Sequence, residues 1–205
     1  LQSDSTAVLL GTHLALKWTS VVTFPIFIVI FVFASDITRE IYGSQWTEGV
    51  PVLYWLAGNA VLVPINGLLL PIMNAVGKSG LMTCFAAIWS MSSWIIAFVL
   101  IAFGLGFASV AMALALSQAI ATISLVFIAW KISGIDVFKS VANPAIIAVV
   151  VGVAARFVVA PLNVNISVLV IGSIGCLLVY CALLYAVDGK AIRRELSQVA
   201  GIRSN

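Results

Sequence analysis

Six apolar stretches, each near the length a helix needs to cross a bilayer, constrain this chain more than any other feature. A helix requires about 20 apolar residues to span a hydrocarbon layer roughly 30 Å thick. The stretches lie at residues 18–34, 50–73, 81–103, 105–130, 141–161 and 166–187. None has a polar face wide enough to meet water, and all are too long and too unbroken for the alternating strands of a membrane barrel. The expected fold is an all-α polytopic membrane helix bundle with six transmembrane helices. A transmembrane domain would fill residues 1–187, with a basic tail at 188–205. Composition agrees, because 8% of the 205 residues are charged where a soluble domain carries about 25%. A cytosolic enzyme, a nucleic-acid binder and a disordered chain are excluded, and no nucleic-acid partner is expected.

The basic residues choose an orientation. Threading six spans alternately places Lys17, Lys78, Lys131, Lys139, Lys190, Arg193, Arg194 and Arg203 on one side. The other side receives only Arg39 and, near the end of its span, Arg156. By the positive-inside rule both termini are expected to be cytoplasmic. Residues 36–42 carry Ile37 and Ile41 at helical spacing, and Gly43 reads as the stop. In the tail, Ile192, Leu196 and Val199 share one face, as in a helix lying on an anionic leaflet, although a short solvated tail fits equally. The polar opening at residues 2–6 follows no basic segment and reads as the interior of a longer polypeptide.

Polar groups inside spans are the first functional suspects, because in a bilayer they cost several kcal/mol unless satisfied. The second span carries Asn59, Pro64, Asn66 and Pro71. Asn59 and Asn66 stand two turns apart on the face of Trp55 and Met73, and Pro64 removes a backbone donor between them. Such a face suits the wall of a polar cavity whose amides bond sugar hydroxyls. It equally suits interhelical hydrogen bonding at a kink. Gln118, with Ala111, Ala115 and Thr122 near its face, is open to the same two readings. Arg156 sits about 7.5 Å inside its span and could hold a phosphate in a bidentate pair or snorkel to head groups. Gly172 with Cys176, and Ala148 with Gly152, read as close helix contacts.

Other motifs carry less. Gly77-Lys78-Ser79 lacks the upstream glycine of a phosphate loop, since Ile72 stands there. His13 is the single histidine, and Cys84, Cys176 and Cys181 have no metal or redox spacing and read as buried packing residues. No metal or other cofactor is expected. Asn165-Ile166-Ser167 is a weak glycosylation sequon. Asp36, Glu40 and Glu48 could act as acid and base in a membrane transferase, but beside Arg39 they read more simply as interface charges.

Three segments carry a family resemblance: Ile41-Tyr42-Gly43-Ser44-Gln45-Trp46, Val50-Pro51-Val52-Leu53, and Leu70-Pro71-Ile72-Met73-Asn74-Ala75-Val76-Gly77-Lys78. With the helix pattern, the chain resembles the C-terminal part of the polysaccharide or O-antigen (Wzx-type) flippases of the MATE-like exporter superfamily. The resemblance implies about one lobe of a two-lobed flippase in the bacterial inner membrane. Such a protein moves undecaprenyl-diphosphate-linked oligosaccharide across the membrane by alternating access and is not an enzyme. Implied partners are the lipid-linked oligosaccharide, membrane lipids, and either an N-terminal half of the same protein or a second copy. Candidate cargo contacts are Asn59, Asn66 and Gln118, with Arg156 for phosphate. The expected cationic cavity is thinly supplied in this portion: Arg156 lies within a span, and Lys17 and Lys78 lie at the cytoplasmic mouth. A proton- or sodium-coupled exporter of small amphipathic molecules is the nearest alternative, but no mid-membrane acid supports ion coupling.

Overall fold

In a computed structural model, which describes the backbone of residues 2–159 and 165–202 and the side chains of residues 11–158 and 165–189, the fold is all-α. Helix α1 (Gln2–Ile37) runs into a π-helical turn (Thr38–Tyr42) and, after Gly43, a 3-10 turn (Ser44–Gly49). Then follow α2 (Val50–Ala75), α3 (Ser79–Ala102), α4 (Ala108–Ser133), α5 (Val137–Val159) and α6 (Ile166–Ile202). Among the described residues six helices are long and apolar enough to cross a membrane.

Several boundaries differ from the sequence expectation for physical reasons. The first helix starts well before residue 18. Within the expected span, Ser20 Oγ donates to the Leu16 carbonyl at 2.7 Å and Thr23 Oγ1 to that of Thr19 at 2.8 Å, so these hydroxyls are satisfied by their own helix. The third and fourth spans do not nearly abut. Residues 103–107 form a turn in which the Gly104 N–H reaches the Ile101 carbonyl and the Leu105 N–H that of Leu100. This is a Schellman ending, and it needs the left-handed backbone of Gly104 (φ +76°). Gly77 (φ +81°) ends α2 in the same way, with Lys78 N–H on the Met73 carbonyl. The glycine and lysine of the phosphate-loop lookalike are therefore a helix terminus.

Helix α5 starts four residues earlier than residue 141 because Asp136 caps it. The Lys139 N–H donates to Asp136 Oδ1 at 3.3 Å, and Lys139 Nζ sits 3.2 Å from Oδ2. These two bonds to Lys139, side chain first, hold the Asp136 carboxyl below its ordinary range. The far end of the 141–161 span falls partly outside the described residues. Asn165 caps α6 through a 3.0 Å bond from the Val168 N–H, so the sequon asparagine has a structural task. No break follows residue 187, and the basic tail continues α6 to Ile202 as a single helix about 55 Å long. The tail residues Ile192, Leu196 and Val199 lie outside the described side chains.

Helix α1 is the hinge of the packing. On one side it meets α5 and α6, and on the other α2, which packs on α4, which in turn packs on α3. Two cores result. Ile28, Val32 and Phe33 of α1 close with Ile147, Ala148 and Val151 of α5 and with Cys176, Tyr180 and Leu184 of α6. Leu16 closes with Ile65, Leu69 and Met73 of α2, Met82 of α3, and Leu125 and Ala129 of α4. The small-residue contacts read from the sequence lie in the first core: Cys176 and Ala148 are buried there, and Gly152 faces Ile28 and Phe31. Helices α3 and α6 are largely exposed along their spans. Cys84 and Cys181 lie on outward faces, so of the three thiols only Cys176 is buried.

Candidate functional site

The amide face of α2 turns inward. Asn66 is 5% exposed, among the buried residues Ile65, Leu69 and Met73, and Asn59 is half-buried two turns earlier. The Oδ1 atoms of both are buried and have no hydrogen-bond partner among the described residues. Gln118 is 2% exposed on α4, the neighbour of α2, in a run of small buried residues that includes Ala111, Ala115 and Thr122. The structure thus places all three amides on the mutually packed helices α2 and α4. It also puts Asn66 and Gln118 inside the bundle and not on an open wall, because the small residues of α4 let the helices approach closely.

A polar seam continues from α4 to α3. The Ser93 and Ser117 hydroxyls meet at 2.8 Å, and Ser93 also lies 2.9 Å from the Trp89 carbonyl. The Trp89 indole nitrogen is buried and has no hydrogen-bond partner among the described residues. Beside it, an apolar groove of about 410 Å³ runs between Trp94, Phe98 and Ile101 of α3 and Val110 and Leu114 of α4.

A second face of α2, about a third of a turn round from the amides, is unusual in another way. Pro64 and Pro71 lack an N–H, so the carbonyls four residues earlier, at Ala60 and Gly67, lose their usual helical donors. Residues 60, 64, 67 and 71 form one stripe, in which Ala60, Gly67 and Pro71 are exposed.

Arg156 does not join the amides. It is exposed on α5, whose main neighbours are α1 and α6, and makes no ion pair among the described residues. At the same end of the bundle, Arg39 ties up two of the candidate acids, with Asp36 Oδ1 at 3.2 Å from Nη2 and Glu40 Oε1 at 3.1 Å from Nε. Both carboxylates are engaged by one guanidinium, which suits interface charges better than groups left free for acid–base work. Glu48 is exposed.

One constellation was not foreseen. At the end of the bundle that carries Lys17, Lys78, Lys131 and Lys139, Asp188 of α6 joins two other helices. Its Oδ1 accepts from Asn143 Nδ2 of α5 at 2.9 Å, and its Oδ2 lies 3.6 Å from Lys17 Nζ of α1. One turn before Lys17, His13 Nδ1 bonds Ser140 Oγ of α5 at 2.9 Å. The sequence signal was an acid ending one apolar stretch on the same side as the lysine opening another. The tail assignment hid it by treating Asp188 as the start of a separate segment. Among the described residues no three His, Cys, Asp or Glu side chains converge to hold a metal.

Comparison with known proteins places a similarity at the front of the chain. Residues 1–51, which comprise α1 and the turns after it, match a family described as "Polysaccharide biosynthesis protein". No curated protein and no solved structure matches the chain.

Proposed function

We propose that this multi-pass membrane protein is one lobe of a flippase that carries undecaprenyl-diphosphate-linked oligosaccharide across the bacterial inner membrane by alternating access. In this reading the basic end, with both termini, is cytoplasmic, and the lobe works with an N-terminal half of the same protein or a second copy. The observation that carries the reading is the proline stripe of α2. Backbone carbonyls that lose a helical donor to proline are re-satisfied at membrane depth by neighbouring protein, by water or by local tightening of the helix, whereas lipid offers them no donor. A helix that exposes Ala60 and Gly67 along one stripe and carries the buried Oδ1 atoms of Asn59 and Asn66 on the neighbouring one offers hydrogen-bond acceptors to a sugar cargo. The similarity of residues 1–51 to a polysaccharide-biosynthesis family supports saccharide cargo over a small amphipathic drug.

The test is deletion of the reading frame in its native host. The expected strain loses surface polysaccharide yet accumulates the lipid-linked repeat unit, shielded from an impermeant oxidant until the cells are lysed. Wild-type protein restores the surface polymer, and so do Asp36→Asn, Glu40→Gln and Glu48→Gln. Failure to make the repeat unit at all, or loss of function in any one of those amide variants, would favour a transferase.

A further inference from the structure

We propose that Asp188, gripped by Lys17 and Asn143, is a latch that keeps the α1–α5–α6 triad closed at its basic end, and that its release admits water as far as Tyr180 and Cys176. Among the described residues, Leu184 is the last α6 member of the apolar core of this triad, one turn short of Asp188. Beyond that point, contacts among the described residues that tie α6 to its neighbours include those of Lys17 and Asn143 to Asp188, and α1 is bonded to α5 through His13 and Ser140. Contacts of this kind exchange readily with water and head groups at a membrane boundary, whereas the apolar layer deeper in the bundle does not. The ion pair itself is long, at 3.6 Å, and its side chains retain 12% and 15% of their exposure. It sits at the border between burial and solvent, where a reversible contact is placed to act.

The interior below the latch supplies the second observation. Tyr180 is fully buried, and its hydroxyl has no hydrogen-bond partner among the described residues. It lies about 12 Å along α6 from Asp188. A buried hydroxyl without a partner is a cost to the closed arrangement. Water entering from the basic end would remove that cost, so the closed state depends on the latch to hold it. Cys176, one turn deeper and 8% exposed, is a native reporter of such opening. The working purpose assigned to this motion rests on the alternating-access reading, but the latch itself is measured without any cargo.

The experiment uses the full chain in lipid nanodiscs with Cys84→Ser and Cys181→Ser, which leaves Cys176 as the one thiol. A charged, membrane-impermeant maleimide reports its alkylation rate. Asp188→Asn and Lys17→Gln are each expected to raise that rate about tenfold, the change that a loss near one ion pair's worth of stability produces. The exchanged pair Lys17→Asp with Asp188→Lys should bring the rate back towards wild type. Tyr180→Phe, which removes the unpartnered hydroxyl, should slow alkylation in the Asp188→Asn background. An unchanged rate in folded Asp188→Asn protein overturns the proposal. So does an exchanged pair that leaves Cys176 as reactive as the single variants, which also decides the matter if a single variant fails to fold. An equal rise in Lys139→Gln, which breaks only the surface pair to Asp136, would mean general loosening and would likewise overturn it. None of these results bears on whether the protein moves a saccharide.

Discussion

Leucine at position 172 is expected to prevent α1 and α6 from packing and to leave little folded protein. A Cβ built on Gly172 would stand 2.7 Å from Phe33 Cζ and 3.3 Å from Cε1, well inside van der Waals contact. The ring has nowhere to go, because Phe33 is completely buried in the core shared by α1, α5 and α6. Even a few added methylenes in a packed core cost about 1–3 kcal/mol, and leucine here adds a whole side chain against an aromatic ring. Phe33→Ala alone should cost about 3–5 kcal/mol through the cavity it leaves. Since one substitution overfills the space that the other empties, the double variant should recover part of the loss. Thermal unfolding in detergent, read by size-exclusion chromatography after heating, would show two weak single variants and a more stable double. Purely additive losses would mean that Phe33 and Gly172 do not share one space.

Asn66→Leu should separate stability from function in the opposite direction. The Asn66 side chain is buried with its Oδ1 unpartnered, so exchanging it for a hydrocarbon of similar size removes a desolvation cost. Unfolding temperature should hold or rise by a few degrees, as expected where a polar group kept for function is replaced. Restoration of surface polysaccharide in the deletion strain should fall at least about tenfold, because the cargo loses an acceptor made available as α2 and α4 rearrange. A packing role predicts the reverse: a lower unfolding temperature with complementation in proportion to the folded protein that remains. Asn66→Gln keeps the amide and should retain more function than Asn66→Leu.

Much of the architecture was legible because apolar length is a direct physical requirement of the bilayer. The six helices and their all-α character follow from it, and Gly43, read as a helix stop, caps the turn after α1 with φ +97°. Small residues also spoke clearly, since Gly172, Cys176, Ala148 and Gly152 sit where helices touch. Boundaries were harder. Hydropathy cannot see that Gly104 needs a turn within an apolar run, nor that the Asp136 carboxylate starts α5 before residue 141. The direction in which the polar faces point was not legible. Spacing put Asn59 and Asn66 on one face, yet only tertiary packing decides that this face points inward and that Arg156 points out. The Lys17–Asp188–Asn143 cluster joins residues far apart in the chain, and no local pattern records such a meeting.

Transport along this path requires that the proline stripe of α2 does not face lipid. Spin labels at Ala60 and Gly67, compared with labels at the exposed positions Ile95 of α3 and Ile171 of α6, test it by collision with oxygen and with a polar nickel chelate. Oxygen concentrates in hydrocarbon, whereas the chelate stays in water. If the stripe lines a watery path or meets a second lobe, the labels at 60 and 67 will collide with oxygen far less than those at 95 and 171, and a watery path will add collisions with the chelate. Oxygen collisions at 60 and 67 equal to those at 95 and 171 would place the stripe in lipid and contradict the proposed transport path.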